Sequence, residues 1–162
     1  MAASNNIMNK PKLTKIVLNV GISSKTKDPK FLETVRATLS RITGQKTVDT
    51  LAKKSISSFK IREGMVVGVM VTLRGRRMQD FLKKLTQITL PRTRDFWGLS
   101  PKHVDARGNF TLGLKEHLAF PEIRSDEVEH VHGLQITLVS TAKGKEQALA
   151  FYTSLGLPLL DS

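Results

Sequence analysis

The sequence predicts an α+β fold: a mainly antiparallel β-sheet with helices packed on one face, in a single domain with long loops. Three segments alternate apolar and polar residues as half-buried strands do, and three others repeat apolar residues at helical spacing. The elements follow the order strand, helix, strand, strand, helix, strand, strand, helix, which favours helices layered on an antiparallel sheet. With 162 residues, 40% of them hydrophobic, the chain is long enough to bury one core.

In the first strand apolar residues recur at every second position, and in the first helix they recur at helical spacing. Residues 13–22 alternate, with Ile16, Leu18 and Val20 on one face, which predicts a half-buried strand. Asp28 and Pro29 then supply an N-cap and a first-turn proline. A single apolar stripe follows, so we predict a helix from about Pro29 to Thr43, closed by Gly44.

The middle of the chain again predicts strands followed by a helix. A short β-leaning stretch over 47–51 precedes the strongest strand signal, which runs from Met65 to Arg74. Met78, Phe81, Leu82, Leu85 and Ile88 then lie on one helical face. We predict a helix that stops before Pro91, followed by a long surface loop over 91–108.

The last third of the sequence predicts two strands and a helix. Residues 109–114 form a short strand signal, and the acidic segment 122–133 resembles a loop or a short helix. Residues 134–142 alternate clearly. The final helix is predicted from roughly Lys145 to Leu155, ending at Gly156.

The segment 52–64, AKKSISSFKIREG, has neither a strand's nor a helix's period for long. It is rich in cations, and it is attached to the strongest predicted strand. A segment without an apolar stripe of its own can project its charges away from the domain. We interpret Phe59 as an anchor for the base of this loop.

Charge is unevenly distributed along the chain. Residues 1–100 contain 20 Lys and Arg against 6 Asp and Glu, whereas residues 101–162 contain 6 against 8. A one-sided excess of cations suggests a polyanionic partner, most often a nucleic acid. A merely basic solvated surface is the alternative.

Several other classes of protein are disfavoured. No apolar run reaches the length of a membrane span, so we expect no membrane partner. The N-terminal segment lacks the pattern of a secretory signal, which predicts a cytoplasmic protein; an organellar leader is the alternative, because the segment is acid-free and rich in Ser and Asn. The chain has no Cys, which excludes disulfides and thiolate sites.

Enzymatic chemistry has little support in the sequence. No catalytic triad, phosphate-binding glycine loop or carboxylate pair stands out, so we predict no catalytic residues, no cofactor and no enzyme. His130 and His132 could share a face and hold a metal, but histidines in an acidic loop are more often solvated. We therefore predict no metal site.

An RNA-binding surface is better supported. If helices cover one face of the sheet, Asn19, Gly21, Thr72 and Arg74 lie on the other face or at its rim. Amides and hydroxyls fix the register of a nucleic acid, and cations pair with its phosphates. Because aromatic residues are only 6% of the chain, we expect folded RNA read by shape rather than bases stacked on the sheet.

Six ordered blocks resemble the bacterial-type large-subunit ribosomal protein five family, which binds 5S rRNA. The resemblance extends from Lys10 to the final helix. The blocks are PKLTKIVLNVG, TGQKTVDTLAKKSISSFKIREG, VTLRGRRM, LPRTRDFWGLS, RGNFTLGLKEHLAFPEI and HGLQITLVSTAK. The resemblance implies a short N-terminal extension over 1–10 and one ribosomal RNA-binding domain over 11–162.

The resemblance also implies partners and site residues. The expected partners are 5S rRNA and large-subunit rRNA in the central protuberance, P-site tRNA, a small-subunit head protein and neighbouring large-subunit proteins. The residues implied to contact 5S rRNA are Asn19, Gly21, Gln45, Lys46, Thr72 and Arg74. Those implied to contact tRNA are Lys53, Lys54, Ser55, Lys60 and Arg62. The intersubunit contact is expected from the loops between Trp97 and His132.

Some positions depart from the family pattern. Only about ten residues precede the first strand, where family members commonly have a further helix. Arg76 stands where many relatives have an acid, and Trp97 and His132 stand where arginine is frequent. A non-ribosomal RNA chaperone or regulator that uses the same basic face is the alternative function.

Overall fold

The protein is described by a computed structural model over residues 10–22, 29–94, 96–124 and 130–160. Its five strands and three main helices occur in the predicted order, and the predicted α+β fold is confirmed. The strands are β1 (Leu13–Gly21), β2 (Val48–Leu51), β3 (Val66–Leu73), β4 (Phe110–Leu114) and β5 (Leu134–Ser140). The helices are α1 (Pro29–Thr43), α2 (Gly75–Lys84) and α3 (Lys145–Ser154).

The five strands form one sheet in the order β2-β3-β1-β5-β4, and every neighbouring pair is antiparallel. The first strand of the chain therefore lies in the middle. Leu18 of β1 is paired with Val71 of β3 on one side and with Ile136 of β5 on the other. This register aligns the apolar residues of the central strands on one face.

That apolar face and the helices enclose the core. Ile16, Leu18, Val71 and Ile136 have at most 1% of their surface exposed. Helix α1 buries most of the stripe that the sequence predicts, and α3 buries Ala148 and Tyr152. Helix α2 and the turn after it bury Met78, Phe81, Leu82 and Leu85, but Ile88 is 41% exposed, so its predicted place on the buried stripe is wrong. None of the helices in the described ranges has the length and apolarity needed to cross a bilayer.

The second helix continues further than predicted. After α2, a π turn over Leu85–Thr89 leads into a last helical turn over Leu90–Arg92, so the predicted stop before Pro91 is wrong. The backbone N–H of Leu90 donates to the carbonyl of Leu85, five residues back. Proline has no N–H and crowds the preceding turn of a regular helix.

Candidate nucleic-acid interface

The face of the sheet opposite the core carries mostly small and polar side chains, together with Val17 and Met70, and all of them are half-buried or exposed. They alternate with the buried residues along each strand. We call this surface the open face; it is formed by Lys15, Val17, Asn19, Gly21, Met70, Thr72, Thr111, Gly113, Gln135 and Thr137.

Asn19 occupies a central position on the open face. It is paired with Met70 on one side and Gln135 on the other, and Gln135 is paired in turn with Gly113 of the edge strand. A shallow groove of about 470 Å³ crosses this row of residues. The groove is lined by Asn19, Gly21, Thr111, Gly113, Leu114, Gly133, Leu134 and Gln135. Two predicted RNA-contacting residues, Asn19 and Gly21, thus line one concave surface.

The glycines of the sheet fall into two kinds. A Cβ atom added to Gly68 would lie 2.8 Å from the Val20 carbonyl and from Thr50 Oγ1, so the chain itself requires glycine there. A Cβ added to Gly21 or Gly113 would meet nothing within 4 Å. Glycine weakens a strand, and it often marks a place where another backbone or a ligand approaches. The protein's own packing gives Gly21 and Gly113 no such neighbour.

The remaining residues predicted to contact 5S rRNA cluster at the end of β3. Gln45 Nε2 donates a hydrogen bond of 3.0 Å to the backbone carbonyl of Thr72, which ties the α1–β2 loop to this strand. The adjacent cations, Lys46 and Arg74, are exposed. Thr72 is a diagonal neighbour of Asn19, because Asn19 is paired with Met70. The structure therefore places this cluster on the same side of the sheet as Asn19 and Gly21, the other residues predicted to contact 5S rRNA.

The basic segment is a hairpin tip, so the prediction that it fits no regular element is wrong. We call residues 52–65 the basic tip. The amide of Ala52 donates to the Met65 carbonyl at 2.8 Å, and Ile56 and Ile61 exchange two backbone hydrogen bonds of 2.9 and 3.1 Å. These bonds extend the β2–β3 hairpin beyond the sheet.

All five residues predicted to contact tRNA are exposed on the basic tip: Lys53, Lys54, Ser55, Lys60 and Arg62. Ser55 also has a structural role, because its Oγ accepts a 3.0 Å hydrogen bond from the Glu63 amide. Phe59 ends the 3₁₀ turn Ser57–Phe59 and is 60% exposed. The interpretation of Phe59 as an anchor at the base of the loop is therefore wrong, since it lies at the outer end of the hairpin.

Two buried histidines, His117 and His132, stack against each other close to the start of β5. His117 is completely buried and His132 is 6% exposed, so the expectation of a solvated His132 is wrong. The two rings stack with centroids 4.0 Å apart, and Phe31 of α1 contacts the edge of the pair. His130 is exposed, as predicted. In the described part of the chain, no group of three or more His, Asp or Glu residues could hold a metal ion.

Burial controls the ionisation of this pair. Loss of solvent, and then the neighbouring His117, lower the pKa of His132 from 6.5 to about 4. Burial also lowers the pKa of His117, against the opposing effects of a backbone hydrogen bond to His132 and the charge of Glu116. Both rings are therefore neutral at pH 7, and they form part of the core. The sequence contains no periodic signal for this pair, because α1 contributes to its burial from a distant part of the chain.

Comparisons with known proteins identify relatives over nearly the whole chain. Residues 6–62 match the family model described as "Ribosomal protein L5", and residues 66–159 match the model for the C-terminus of the same ribosomal family. A protein of Halothermothrix orenii is 50% identical over 153 residues, which are 94% of this chain and 86% of that protein. A protein of Symbiobacterium thermophilum is 52% identical over 156 residues, 96% of this chain and 87% of that protein. Both relatives are named "Large ribosomal subunit protein uL5".

Proposed function

The chain belongs to the ribosomal protein L5 family, and from this membership we propose that it binds 5S rRNA with its open face. The family is structural and non-enzymatic, and the protein is a constituent of the large ribosomal subunit. Its bacterial relatives indicate a cytoplasmic ribosome.

The observation that carries the 5S rRNA proposal is the open, glycine-containing groove around Asn19. Gly21 and Gly113 leave space that no part of the described chain fills. An RNA backbone can approach closely there, while the amides of Asn19 and Gln135 supply short hydrogen bonds. Exposed Lys46 and Arg74 lie at the end of the same face and pair with phosphates.

The basic tip is proposed to contact P-site tRNA. Its hydrogen bonds project four exposed cations beyond the sheet, which suits a phosphate backbone that is separate from the RNA on the open face. Phe59 adds an exposed ring at the same end, and such a ring can stack on an accessible base.

The intersubunit contact is proposed for the long loops between Trp97 and His132, whose acidic part lies between β4 and β5. In the described part of these loops, Glu116, Arg124, His130 and Val131 are exposed. Residues 125–129, which contain three of the acids in this part of the sequence, lie outside the described residues. An acidic loop is complementary to a basic protein of the small-subunit head.

Removal of polar groups from the open face tests 5S rRNA binding. We expect Asn19→Ala with Thr72→Ala to weaken binding to a 5S rRNA transcript by about tenfold, because two hydrogen-bonding groups are lost. Gln87→Ala with Thr153→Ala is the matched control, since both side chains are exposed on helical segments away from this face. Equal affinity of the unmodified protein for 5S rRNA and an unrelated structured RNA at physiological salt contradicts the proposal.

Neutralisation of the basic tip tests the division between the two RNAs. We expect Lys53, Lys54, Lys60 and Arg62 changed to Gln to weaken P-site tRNA retention and to leave 5S rRNA binding nearly intact. The matched control removes four exposed cations elsewhere, with Gln at Lys12, Lys83, Lys143 and Lys145. Filter binding of tRNA to reconstituted ribosomes and of 5S rRNA to free protein gives the two measurements. A loss that falls mainly on 5S rRNA overturns the assignment of the tip to tRNA.

A further inference from the structure

Trp97 is an exposed aromatic residue that belongs to neither the open face nor the basic tip. It is 85% exposed, and it is the single Trp of the sequence. Tryptophan is concentrated in the contact sites of proteins, because its large ring gains much energy when it is covered. The core does not account for Trp97, since its ring lies almost entirely in solvent.

Hydrogen bonds hold the backbone next to Trp97, although the Trp97 side chain does not pack in the core. The Leu99 amide donates to the Pro158 carbonyl at 2.8 Å, and the Leu160 amide donates to the Leu99 carbonyl at 2.9 Å. Leu99 is 2% exposed, and Phe96 packs against the core from the other side of Trp97. The ring is therefore presented from a fixed base, which reduces the entropy lost when a partner covers it.

The sequence around Trp97 is basic. The sequence from Arg92 to Lys102 contains three cations and one acid, and Arg92, Arg94 and Lys102 are exposed. The neighbouring exposed apolar group is Leu160, at 45% exposure. A docked protein would need a larger apolar centre around Trp97, whereas a nucleotide needs a flat ring for its base and cations for its phosphates.

We propose that Trp97 is a stacking platform for an unpaired base of ribosomal RNA, with the neighbouring arginines pairing with adjacent phosphates. The inference rests on the proposed ribosomal RNA binding, and it adds a contact site outside the open face. Unpaired bases in loops and bulges stack readily on exposed aromatic rings. Stacking of one base makes binding roughly tenfold tighter.

The single Trp gives a direct optical test. The protein is prepared with 5-hydroxytryptophan at position 97, so that its emission can be excited apart from other proteins. Its emission and its quenching by iodide are then measured with a 5S rRNA transcript and with large subunits reconstituted without this protein. We expect emission to fall and iodide access to be lost with one of these two probes.

Variants distinguish stacking from simple apolar contact. We expect Trp97→Phe to keep most of the affinity for the probe that quenches Trp97, and Trp97→Leu to lose about tenfold, because leucine has no flat ring. Ile88→Ala is the control, since Ile88 is an exposed apolar residue on the π turn after α2. Photocrosslinking from position 97, followed by mass spectrometry, should give a nucleotide adduct.

Failure of the proposed function and failure of the stacking inference give different results in these experiments. If the unmodified protein binds neither 5S rRNA nor the reconstituted subunits, the proposed function itself fails. If it binds both with unchanged Trp97 emission and iodide access, the stacking inference alone is overturned. Quenching that appears only after small subunits are added, or a crosslink to a protein instead of a nucleotide, also overturns it.

Discussion

Gly21 and Gly68 are paired across β1 and β3, yet they are glycines for different physical reasons. Gly68 is enclosed by the chain's own atoms, whereas the space above Gly21 is empty. The difference separates a residue needed for folding from one that we assign to binding, and substitution by alanine can separate the two effects experimentally.

We expect Gly68→Ala to lower the free energy of unfolding by about 1–3 kcal/mol, because the added methyl group meets a backbone carbonyl. Gly21→Ala should instead raise it by about 0.5 kcal/mol, because alanine suits a strand better. Binding of 5S rRNA to Gly21→Ala should nevertheless weaken. Urea unfolding and RNA binding of both variants check these results; unchanged RNA affinity of Gly21→Ala would contradict the role of the groove.

His132 makes the stability of the protein depend on pH. Its pKa is about 4 in the folded protein and about 6.5 when unfolded, so the unfolded state binds the proton more tightly. Its contribution is fully present above pH 6.5, declines as the pH falls towards 4, and is lost below that. The shift corresponds to about 3 kcal/mol.

We therefore expect the unfolding free energy to fall less steeply between pH 6.5 and 4 in His132→Gln than in the unmodified protein. Urea unfolding at several pH values measures this slope. His103→Gln, at an exposed histidine, serves as the control. Identical slopes for His132→Gln and the unmodified protein would contradict the buried, neutral state of His132.

At the scale of elements, the basic tip shows why some structure is hidden from sequence patterns. Ile56 and Ile61 are hydrogen-bonded partners, but Ile56 is 43% exposed and the neighbouring residues are exposed on both faces. Apolar alternation arises only when one face of a strand is buried, so this hairpin leaves no periodic signal. The strands β1, β3 and β5 were predictable because each has one face in the core.

We expect the Ile56 and Ile61 amides to be protected from hydrogen exchange in the free protein, because both are hydrogen-bonded before any RNA arrives.

Lys60 has a φ angle of 53°, which glycine adopts freely and β-branched residues resist. Lys60→Val should therefore open the tip at a cost of about 1–2 kcal/mol. Lys60→Gly removes the same charge and should keep the protection, and equal protection in the two variants would contradict an ordered tip.

At the scale of the whole molecule, two family models divide the chain, but the sheet does not follow that division. The boundary falls between residues 62 and 66, within the basic tip, whereas β1 lies between β3 and β5. The single domain follows from this arrangement. Sequence patterns identified the main strands and helices and placed Asn19, Gly21 and Thr72 on the open face. They could not supply the strand order or the burial of His132, because both depend on contacts between distant segments.

We expect residues 66–160 alone not to fold, because removal of β1 would expose the inner edges of both β3 and β5. The complete chain should unfold in one cooperative transition. Circular dichroism of the fragment and of the full chain in urea tests this. A fragment with a cooperative transition of its own would show that the two matched regions are independent domains.

The central place of β1 also affects how a nascent chain can fold. β1 is synthesised early and can pair with β3 once the first hairpin has been made, but its other partner, β5, comes after β4 and the long loops. During translation the middle strand therefore keeps one unpaired edge, and strand pairing between such distant segments is slow. The segments that carry Asn19, Gln45, Lys46, Thr72 and Arg74 are synthesised before β5 can close the core. Early binding of RNA to them would compete with chaperones for an incomplete sheet.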